Sequence, residues 1–319
     1  MRRSTIRLVQ LVVAGVLALG AFTACGGGGS SDGSASADPS TDKLAQILAR
    51  GTLVEYFEPE YPPQSMSVEG AKRRADTKCA DNQLTASEVT GYDNEITKLL
   101  AKELGVEACF VSPTWTEVTA GNWGDRWDIA YGSGSINTDR MERLYMTQPY
   151  YAVPNRYFVA KESPYQTPSD LDGKTIGSCA SCSHELYLRG ELQIPTIDVV
   201  VDVENPKIVT YETEPPGLAA AAKGEVDAFL AADPVGQASI DEGNDLRRLD
   251  EIAFTYYPSG FVDKSSGLEV KAFVDRVDEI VKGFLADGTL KALALKWFGQ
   301  DYASEAANFD IASVAQDIK

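Results

Sequence analysis

The 319-residue chain has a single histidine, His184, and this scarcity limits the catalytic chemistry open to it. A Ser-His-Asp triad would have to use His184, and no nucleophile elbow surrounds a serine. No metal-binding cluster of histidines and cysteines stands out either. We therefore interpret His184 as a satisfied loop histidine, and we expect a protein that is not an enzyme and that holds neither a metal nor a cofactor.

Positive charge is also in short supply, with 29 Lys and Arg against 47 Asp and Glu and a formal charge of −18. A polyanion would be repelled rather than gathered by counterion release, which excludes nucleic acid as a partner. Hydrophobic residues make up 44% of the chain, enough for a large core arranged as two lobes or domains. Disordered and collagen-like chains are excluded by the same composition.

A strongly apolar run stands at the amino terminus, from Leu8 to Ala24, after three arginines. It is too short and too interrupted for a comfortable membrane span, so residues 1–24 are predicted to be an export signal. The signal ends in Phe22-Thr23-Ala24-Cys25, which resembles a bacterial lipobox although Leu is more usual at the first position. Lipidation of Cys25 is expected; a chance cysteine after an ordinary signal peptide is the alternative.

The segment after Cys25 is built almost entirely from Gly, Ser, Ala and Asp between residues 26 and 40. This composition gives a flexible coil, so residues 25–43 are predicted to tether an exported body to the outer face of the bacterial membrane. A periplasmic location is the alternative. Stable anchoring needs the multiple acyl chains that lipoprotein processing supplies. Removal of the signal makes the chain still more acidic, so the anionic lipid surface is not itself the partner.

Four cysteines follow in the body, at positions 79, 109, 179 and 182. An even number in an exported, oxidising context predicts two disulfides, for which three pairings exist. Cys179 and Cys182 lie three residues apart, and Cys79 and Cys109 fall in one region, so these two pairings are favoured. The charged segment 68–90 then looks like an insertion that the first disulfide staples.

Strand and helix signals alternate along the body, which favours mainly parallel sheets covered by helices. Helices are predicted over 93–104, from about 183, over 217–223 and 270–284, and up to 297; strands over 53–57, 127–131, 157–160, 175–177 and 226–231. The first of these helices is amphipathic, because its apolar residues share one face. No internal repeat is present.

Six short motifs, in order and at the right spacing, resemble the extracellular solute-binding proteins of ABC importers, in the family that includes the polar amino acid binders. They are Tyr61-Pro62-Pro63, Gly91-Tyr92-Asp93, Arg140 ten residues before Tyr150-Tyr151, Asp170-Leu171-Asp172-Gly173-Lys174, Gly224-Glu225-Val226-Asp227-Ala228 and Lys296-Trp297-Phe298-Gly299. The resemblance covers residues 44–301.

That resemblance implies an α/β fold of the type II periplasmic-binding-protein class, in which each of two lobes is a mainly parallel sheet flanked by helices. Hinge closure of the lobes encloses the ligand. Residues 44–150 with 258–319 are expected to form lobe 1, and residues 155–253 lobe 2. Residues 151–154 and 254–257 are the expected hinge crossings.

The resemblance also assigns the ligand's carboxylate to Arg140, whose planar guanidinium can make two parallel charge-assisted hydrogen bonds. A surface arginine satisfied by Asp139 and Glu142 is the alternative. Ser133 and Ser135 match positions that share the same carboxylate, against the alternative of an ordinary polar loop.

Two aromatics, Tyr61 and Trp115, match residues that enclose the ligand's apolar part, although a bare aromatic is more often core. Glu58 matches a position that often carries an acidic contact; a solvated loop charge is the alternative. The loop before the helix predicted near Ser183 faces the ligand in the family, and free N–H groups there suit an anion.

The cysteines Cys179 and Cys182 belong to that loop. A disulfide that rigidifies it is the favoured interpretation, and a redox dithiol is the alternative. The largest departure from the family is Ala232, which replaces the usual acid for the ligand's ammonium group. Asp233 or Glu58 could substitute for that acid, or the ligand lacks an α-amino group.

By resemblance, the protein is expected to capture a small carboxylate-bearing solute, an amino acid or a related compound, and to deliver it as a monomer to an ABC permease. A sensory binding protein is one alternative. A periplasmic dehydratase of cyclic acids on the same fold is the other.

Overall fold

The computed structural model describes residues 37–316 and 318. The predicted signal, the lipidation position Cys25 and most of the predicted tether lie outside the described residues. Within them, the folded body begins slightly before residue 44: the Asp42 carboxylate accepts a 2.7 Å hydrogen bond from Ala45 N and caps helix α1 (Lys43–Arg50). None of the helices in the described ranges has the length and hydrophobicity to cross a membrane.

A three-stranded sheet organises the first part of the body. Its strands are β1 (Thr52–Tyr56), β4 (Leu84–Thr85) and β6 (Glu107–Val111), with β1 parallel and β4 antiparallel to β6. A smaller antiparallel sheet holds β2 (Glu60–Tyr61), β3 (Ser65–Ser67) and β5 (Val89–Thr90). Helix α2 (Tyr92–Leu104) packs here with Ile96 and Leu100 buried, as its apolar spacing predicts.

The segment predicted as a strand over 127–131 forms only isolated bridges, which pair Ile129 with Glu55 and Ala130 with Phe261. Side chains replace part of the ladder: the Asp128 carboxylate accepts Val54 N–H at 2.9 Å, and the Glu55 carboxylate accepts Tyr131 N–H at 2.7 Å. A regular strand is therefore interrupted before the chain reaches Ser133.

Short elements follow that segment or flank it. They are helices α3 (Trp115–Ala120) and α4 (Thr138–Met141), and strands β7 (Leu144–Met146) and β14 (Phe261–Asp263), which pair antiparallel. Just before α4 the chain lies so close to β14 that a Cβ atom on Gly134 would overlap the Phe261 ring.

A six-stranded sheet organises the second part. Its strands are β8 (Val153–Ala160), β9 (Thr175–Cys179), β10 (Lys207–Tyr211), β11 (Ala228–Ala232), β12 (Leu246–Arg248) and β13 (Phe254–Tyr256). The order is β10-β9-β11-β8-β12, with β13 also paired to β8. Strands β10, β9 and β11 are parallel, and β8 is antiparallel to β11.

Three helices follow the parallel strands directly: α5 (Ser183–Leu188) after β9, α6 (Glu214–Ala222) after β10 and α7 (Asp233–Asp241) after β11. Their first residues therefore gather at the carboxyl edge of the sheet, where open α/β sheets bind ligands. The chain runs between the two parts twice, and these crossings lie side by side, since Tyr256 pairs with Val153 and Phe254 with Asn155.

The carboxyl-terminal helices α8 (Lys271–Ala286) and α9 (Thr289–Phe298) return to the first part. The buried face of α8 carries the apolar residues whose spacing predicts the helix, among them Phe273, Val277 and Val281.

Both favoured disulfides are present, Cys79–Cys109 and Cys179–Cys182. The first joins the 68–90 insertion to β6.

Candidate ligand-binding site

A cavity lies where loops of the first part face the carboxyl edge of the six-stranded sheet. It contains about 540 Å³ of space between protein atoms, counting the part open to solvent. The structure brings seven of the eight predicted ligand residues to its walls: Glu58, Tyr61, Trp115, Ser133, Ser135, Arg140 and Ser183. Asp233 is not among the residues that line it.

Arg140 is a buried cation that has no acidic partner among the residues the structure describes. The Asn137 side chain caps α4 by accepting Arg140 N–H at 2.8 Å, which helps to hold the side chain inward. Its Nη1 and Nη2 donate to the carbonyls of Ser135 at 2.9 Å and Ser181 at 3.0 Å. Within residues 37–316 and 318, no carboxylate forms an ion pair with it, and its buried Nε has no hydrogen-bond partner.

Burial lowers the pKa of Arg140 to about 10, so the guanidinium stays charged at neutral pH. Asp139 is paired instead with Arg143, at 2.6 Å. Glu142 also lies closest to Arg143, at 3.9 Å. Arg140 is therefore not a surface arginine satisfied by its neighbours, and Trp115 lies beneath it, with 5.2 Å between the guanidinium carbon and the ring centre.

The three serines that were predicted as ligand residues are held by hydrogen bonds within the protein. The hydroxyl of Ser133 donates to Asp93 Oδ2 at 2.7 Å, and its N–H donates to the hydroxyl of Tyr150 at 3.1 Å. The hydroxyls of Ser135 and Ser183 share a hydrogen bond across the cavity. These groups shape the wall beside Arg140.

Asp93 is a cavity residue that sequence reasoning did not identify as a ligand contact. It also accepts a 2.8 Å hydrogen bond from the Tyr150 hydroxyl, and desolvation raises its pKa to about 7. A signal for it existed, because Asp93 ends the Gly91-Tyr92-Asp93 motif at the start of α2.

Glu214 is the second missed residue, and it stands beside the position where an acid is absent. Its Oε1 accepts the N–H of Ala232 at 3.1 Å, and its Oε2 accepts the hydroxyl of Tyr61 at 2.7 Å. Burial raises the pKa of Glu214 to about 7. The available signal was an acidic residue directly before two prolines, a pattern typical of a helix start.

Asp233 is engaged elsewhere. Arg156 lies 3.2 Å from it, Arg248 lies 3.0 Å from it, and the hydroxyl of Tyr302 donates to it at 3.1 Å. The structure therefore does not bring Asp233 to the ligand. Glu58 does line the cavity, where it accepts the Tyr56 hydroxyl at 3.0 Å and where desolvation raises its pKa.

His184 is buried on α5 rather than placed in a loop. The amide of Asn155 donates to two backbone carbonyls, at 3.0 Å and 3.2 Å, which turns its oxygen toward His184 Nε2 at 2.7 Å. Nε2 therefore carries the proton, and Nδ1 presents a lone pair. Burial lowers the pKa of His184 to about 3, so the ring is neutral.

The lone pair of His184 faces Cys179 Sγ at 3.5 Å and Glu214 Oε1 at 3.4 Å. Donor atoms of Cys179, Cys182 and His184 lie within 4.8 Å of one another, the spacing of a metal cluster. The two sulfurs are joined as a disulfide, however, so the thiolates that zinc requires are absent from this form.

Two lobes around a cavity that holds a buried cation and buried acids define a solute receptor. The chain belongs to the bacterial extracellular solute-binding proteins, family 3, whose model matches residues 79–300. The family membership and the type II two-lobe fold predicted from the sequence are thereby confirmed.

Two curated relatives cover most of the chain. The L-cystine-binding protein TcyJ of Escherichia coli strain K12 is 29% identical over 261 residues, which cover 81% of this chain and 86% of TcyJ. The L-cystine-binding protein TcyA of Bacillus subtilis strain 168 is 24% identical over 291 residues, which cover 90% of this chain and 95% of TcyA.

Among solved structures, the ancestral amino acid-binding protein AncCDT-1, a precursor of cyclohexadienyl dehydratase, matches with a TM-score of 0.64 and 22% identity. The match covers 81% of this chain and all of AncCDT-1. This likeness establishes the shared fold.

Proposed function

We propose that this protein is the receptor of an ABC importer and binds an α-amino acid between its lobes. The ligand's carboxylate binds Arg140, and its ammonium group binds Glu214. The observation that carries this proposal is a buried arginine, with no acidic partner in the described part of the chain, in the same cavity as two buried carboxyl groups.

The carboxylate half of the proposal follows from the cost of burying a charge. A guanidinium removed from water loses hydration that two backbone carbonyls replace only in part. Nε remains without a partner, so the arginine has donor capacity left for an anion. A ligand carboxylate supplies both the missing charge and the missing acceptor.

The ammonium half rests on Glu214. Position 232 carries no acid, but the Glu214 carboxyl receives the N–H of Ala232 and so lies next to that position. Its raised pKa means that the site holds a partly protonated acid until a cation enters. An ammonium group would stabilise the carboxylate form, which removes the reason to expect a ligand without an amino group.

L-cystine is the first ligand to test, because TcyJ and TcyA are both named as cystine-binding proteins. Cystine carries two carboxylates and two ammonium groups. The cavity has acidic residues beyond Glu214, with Asp93, Glu58 and Glu212 also on its walls, so a second ammonium group would meet negative charge.

Closure is supported by direct contacts between the proposed lobes, residues 44–150 with 258–319 and residues 155–253. Tyr61 donates to Glu214, Arg140 donates to the Ser181 carbonyl, and Thr138 N–H donates to the Gln193 carbonyl at 3.0 Å. A ligand that binds both lobes adds to these contacts and favours the closed form, which the permease would recognise.

Delivery to a permease also requires that the protein be exported and held at the membrane, which we assign to the amino-terminal residues. We propose export by residues 1–24, lipidation at Cys25 and action as a monomer at the outer face of the membrane. Growth in radiolabelled palmitate is expected to label the protein and not its Cys25→Ser variant. Equal labelling of both would contradict anchoring at this residue.

Ligand binding is tested by thermal melting of the mature protein with L-cystine and other L-amino acids, each compared with its deaminated acid. At about 100 times its dissociation constant, a ligand stabilises by about 2.7 kcal/mol, an easily measured shift. The proposal expects a shift with the amino acid and little with the deaminated acid. Equal shifts would show that no ammonium site exists.

A further inference from the structure

We propose that the Cys179–Cys182 disulfide is a thiol-exchange site within the ligand cavity, opened by a small thiol-bearing molecule that enters there. This activity goes beyond ligand capture. It rests on the proposed amino acid site only for the preference among thiols, and selective opening of the disulfide does not depend on that site.

The two disulfides of the protein differ in what surrounds them. Cys79 and Cys109 are buried members of a hydrophobic cluster, against which the partly buried Cys182 also packs, but neither Cys79 nor Cys109 lines the cavity. Cys179 and Cys182 both line it, so a bound solute and this disulfide share one space. Cys182 is only partly buried, whereas Cys179 is buried, which makes the Cys182 sulfur the more accessible one.

His184 supplies the second, independent observation. Its Nδ1 lone pair lies 3.5 Å from Cys179 Sγ, and the hydrogen-bonded Asn155 holds the other ring nitrogen protonated. A disulfide sulfur has no proton to share with this lone pair. The imidazole is thus placed to accept a proton once the disulfide opens and to stabilise the Cys179 thiolate that leaves.

The exchange balances in two steps. A thiol RSH attacks Cys182 Sγ, an R–S–S–Cys182 bond forms, the Cys179–Cys182 bond breaks, and the thiol proton moves to His184 Nδ1 beside the Cys179 thiolate. A second RSH attacks the outer sulfur and releases RSSR, leaving a dithiol. Two thiols are oxidised and one protein disulfide is reduced, so L-cysteine as the thiol yields L-cystine.

Glu214 supports the charged state formed in the first step. Its Oε1 lies 3.4 Å from Nδ1, so an imidazolium there would face both a thiolate and a carboxylate. Burial is the main influence that disfavours a protonated His184, and the positive charge of Arg140 adds to it. A carboxylate-bearing thiol bound to Arg140 would offset the contribution of Arg140.

The experiment exposes the folded, mature protein to L-cysteine, traps free thiols with an alkylating reagent at set times, and quantifies each cysteine by peptide mass spectrometry. Cys179 and Cys182 are expected to open at least ten-fold faster than Cys79 and Cys109, with one L-cystine released per disulfide. Opening of both disulfides at the same rate would overturn the proposal.

Variants locate the attacked sulfur and the role of the histidine. Cys179→Ser, incubated with L-cystine, is expected to form a cysteinyl mixed disulfide at Cys182 more rapidly than Cys182→Ser forms one at Cys179; no difference would overturn the assignment. His184→Gln is expected to slow opening about ten-fold. Its intact Cys79–Cys109 disulfide reports that the variant is folded, and an unchanged rate would overturn the role of His184.

Comparison with 2-aminoethanethiol, which lacks a carboxylate, separates this inference from the proposed function. L-cysteine is expected to react faster than 2-aminoethanethiol, and Arg140→Gln is expected to remove the difference. Equal rates in the unmodified protein, with Cys179–Cys182 still opened selectively, would count against the amino acid site and support exchange on its own.

Discussion

Two buried cations in this protein differ in whether a carboxylate neutralises them. Lys43 and Arg140 are each 2% exposed. Lys43 Nζ lies 3.3 Å from an Asp128 carboxylate oxygen and 3.0 Å from the side-chain oxygen of Gln46. Among the described residues, the guanidinium of Arg140 donates hydrogen bonds only to two backbone carbonyls and the Ser135 hydroxyl, and it lies over the ring of Trp115.

The comparison separates a structural charge, Lys43, from the charge that we propose for ligand binding, Arg140. Asp128 is shared by Lys43, Arg50 and the N–H of Val54, so the protein itself completes that cluster. Arg140 is equally removed from water but remains incomplete. A buried charge that the fold leaves without a counterion is stabilised when a ligand brings one, and this indicates binding better than burial or charge alone does.

Loss of the Arg140 charge is expected to have the largest effect on ligand affinity. Arg140→Gln should lower affinity for the ligand identified by melting by about 3 to 5 kcal/mol, or two to three and a half decades, because the ligand carboxylate is left buried and unpaired. The ligand-free protein should keep its stability, since no acidic partner is orphaned. Titration calorimetry and melting measure both quantities.

Arg143→Gln is the matched control for Arg140, since it removes a partly exposed arginine three residues away that pairs with Asp139. It should leave affinity unchanged. If Arg140→Gln bound the ligand as well as the unmodified protein did, the assignment of Arg140 would be wrong.

Loss of the counterion of Lys43 should give the opposite pattern. Asp128→Asn leaves Lys43 buried without its counterion, so the free energy of unfolding should fall by about 3 kcal/mol while the folded fraction keeps its ligand affinity. Denaturant unfolding and calorimetry below the unfolding temperature test this. A weaker ligand affinity with unchanged stability would remove the distinction between the two cations.

Loss of the Glu214 carboxyl, in the same cavity as Arg140, should have an intermediate effect. Glu214→Gln should weaken binding of the amino acid by about 2 kcal/mol, since a charged hydrogen bond is replaced by a neutral one, and should affect the deaminated acid little. Equal weakening of both ligands in calorimetry would show that Glu214 does not contact the ammonium group.

Glu214 also makes a prediction about pH. Its pKa is about 7 in the folded protein against an ordinary value of 4.5, so between these values the folded state holds a proton that the unfolded state has released. Its contribution to stability therefore falls as pH rises from about 4.5 to about 7, and affinity for an ammonium group rises over the same range. Subtracting the melting profile of Glu214→Gln isolates this contribution, and a difference that does not vary with pH would contradict it.

The smallest effect is expected at Asp233. Because Arg156 and Arg248 already pair with it outside the cavity, Asp233→Asn should change ligand affinity by less than about three-fold. The free energy of unfolding of this variant should fall by about 1 kcal/mol, since hydrogen bonds to charged groups are lost. A loss of affinity comparable to that of Glu214→Gln would restore Asp233 as the ammonium partner.

The sequence predicted best what depends on neighbouring residues. The helices over 92–104 and 271–286 followed from apolar spacing, because a 3.6-residue period is local. The strand predicted over 127–131 was wrong, because side-chain carboxylates replaced ladder partners: the distant Glu55 accepts Tyr131 N–H, and Asp128 within the segment accepts Val54 N–H. Arg140 was found through a family motif rather than from its surroundings.

Glu214 was missed for a reason of distance along the chain. It lies 18 residues before Ala232, and only the packing of α6 beside β11 brings the carboxyl to that strand's end. A comparison with the family, position by position, finds only that Ala232 stands where an acid is usual. The substitute acid that we propose, Glu214, comes from another element and so leaves no signal at position 232 itself.

The hydrogen bond from Thr138 to the Gln193 carbonyl lies outside the cavity, yet it bears on how much solute the protein captures. Measured affinity is the intrinsic affinity of the competent form multiplied by the fraction of molecules that occupy that form. A change that weakens this contact would lower capture while every atom around the solute stays in place. The apparent affinity can therefore be adjusted through contacts outside the cavity, while the preference among solutes stays the same.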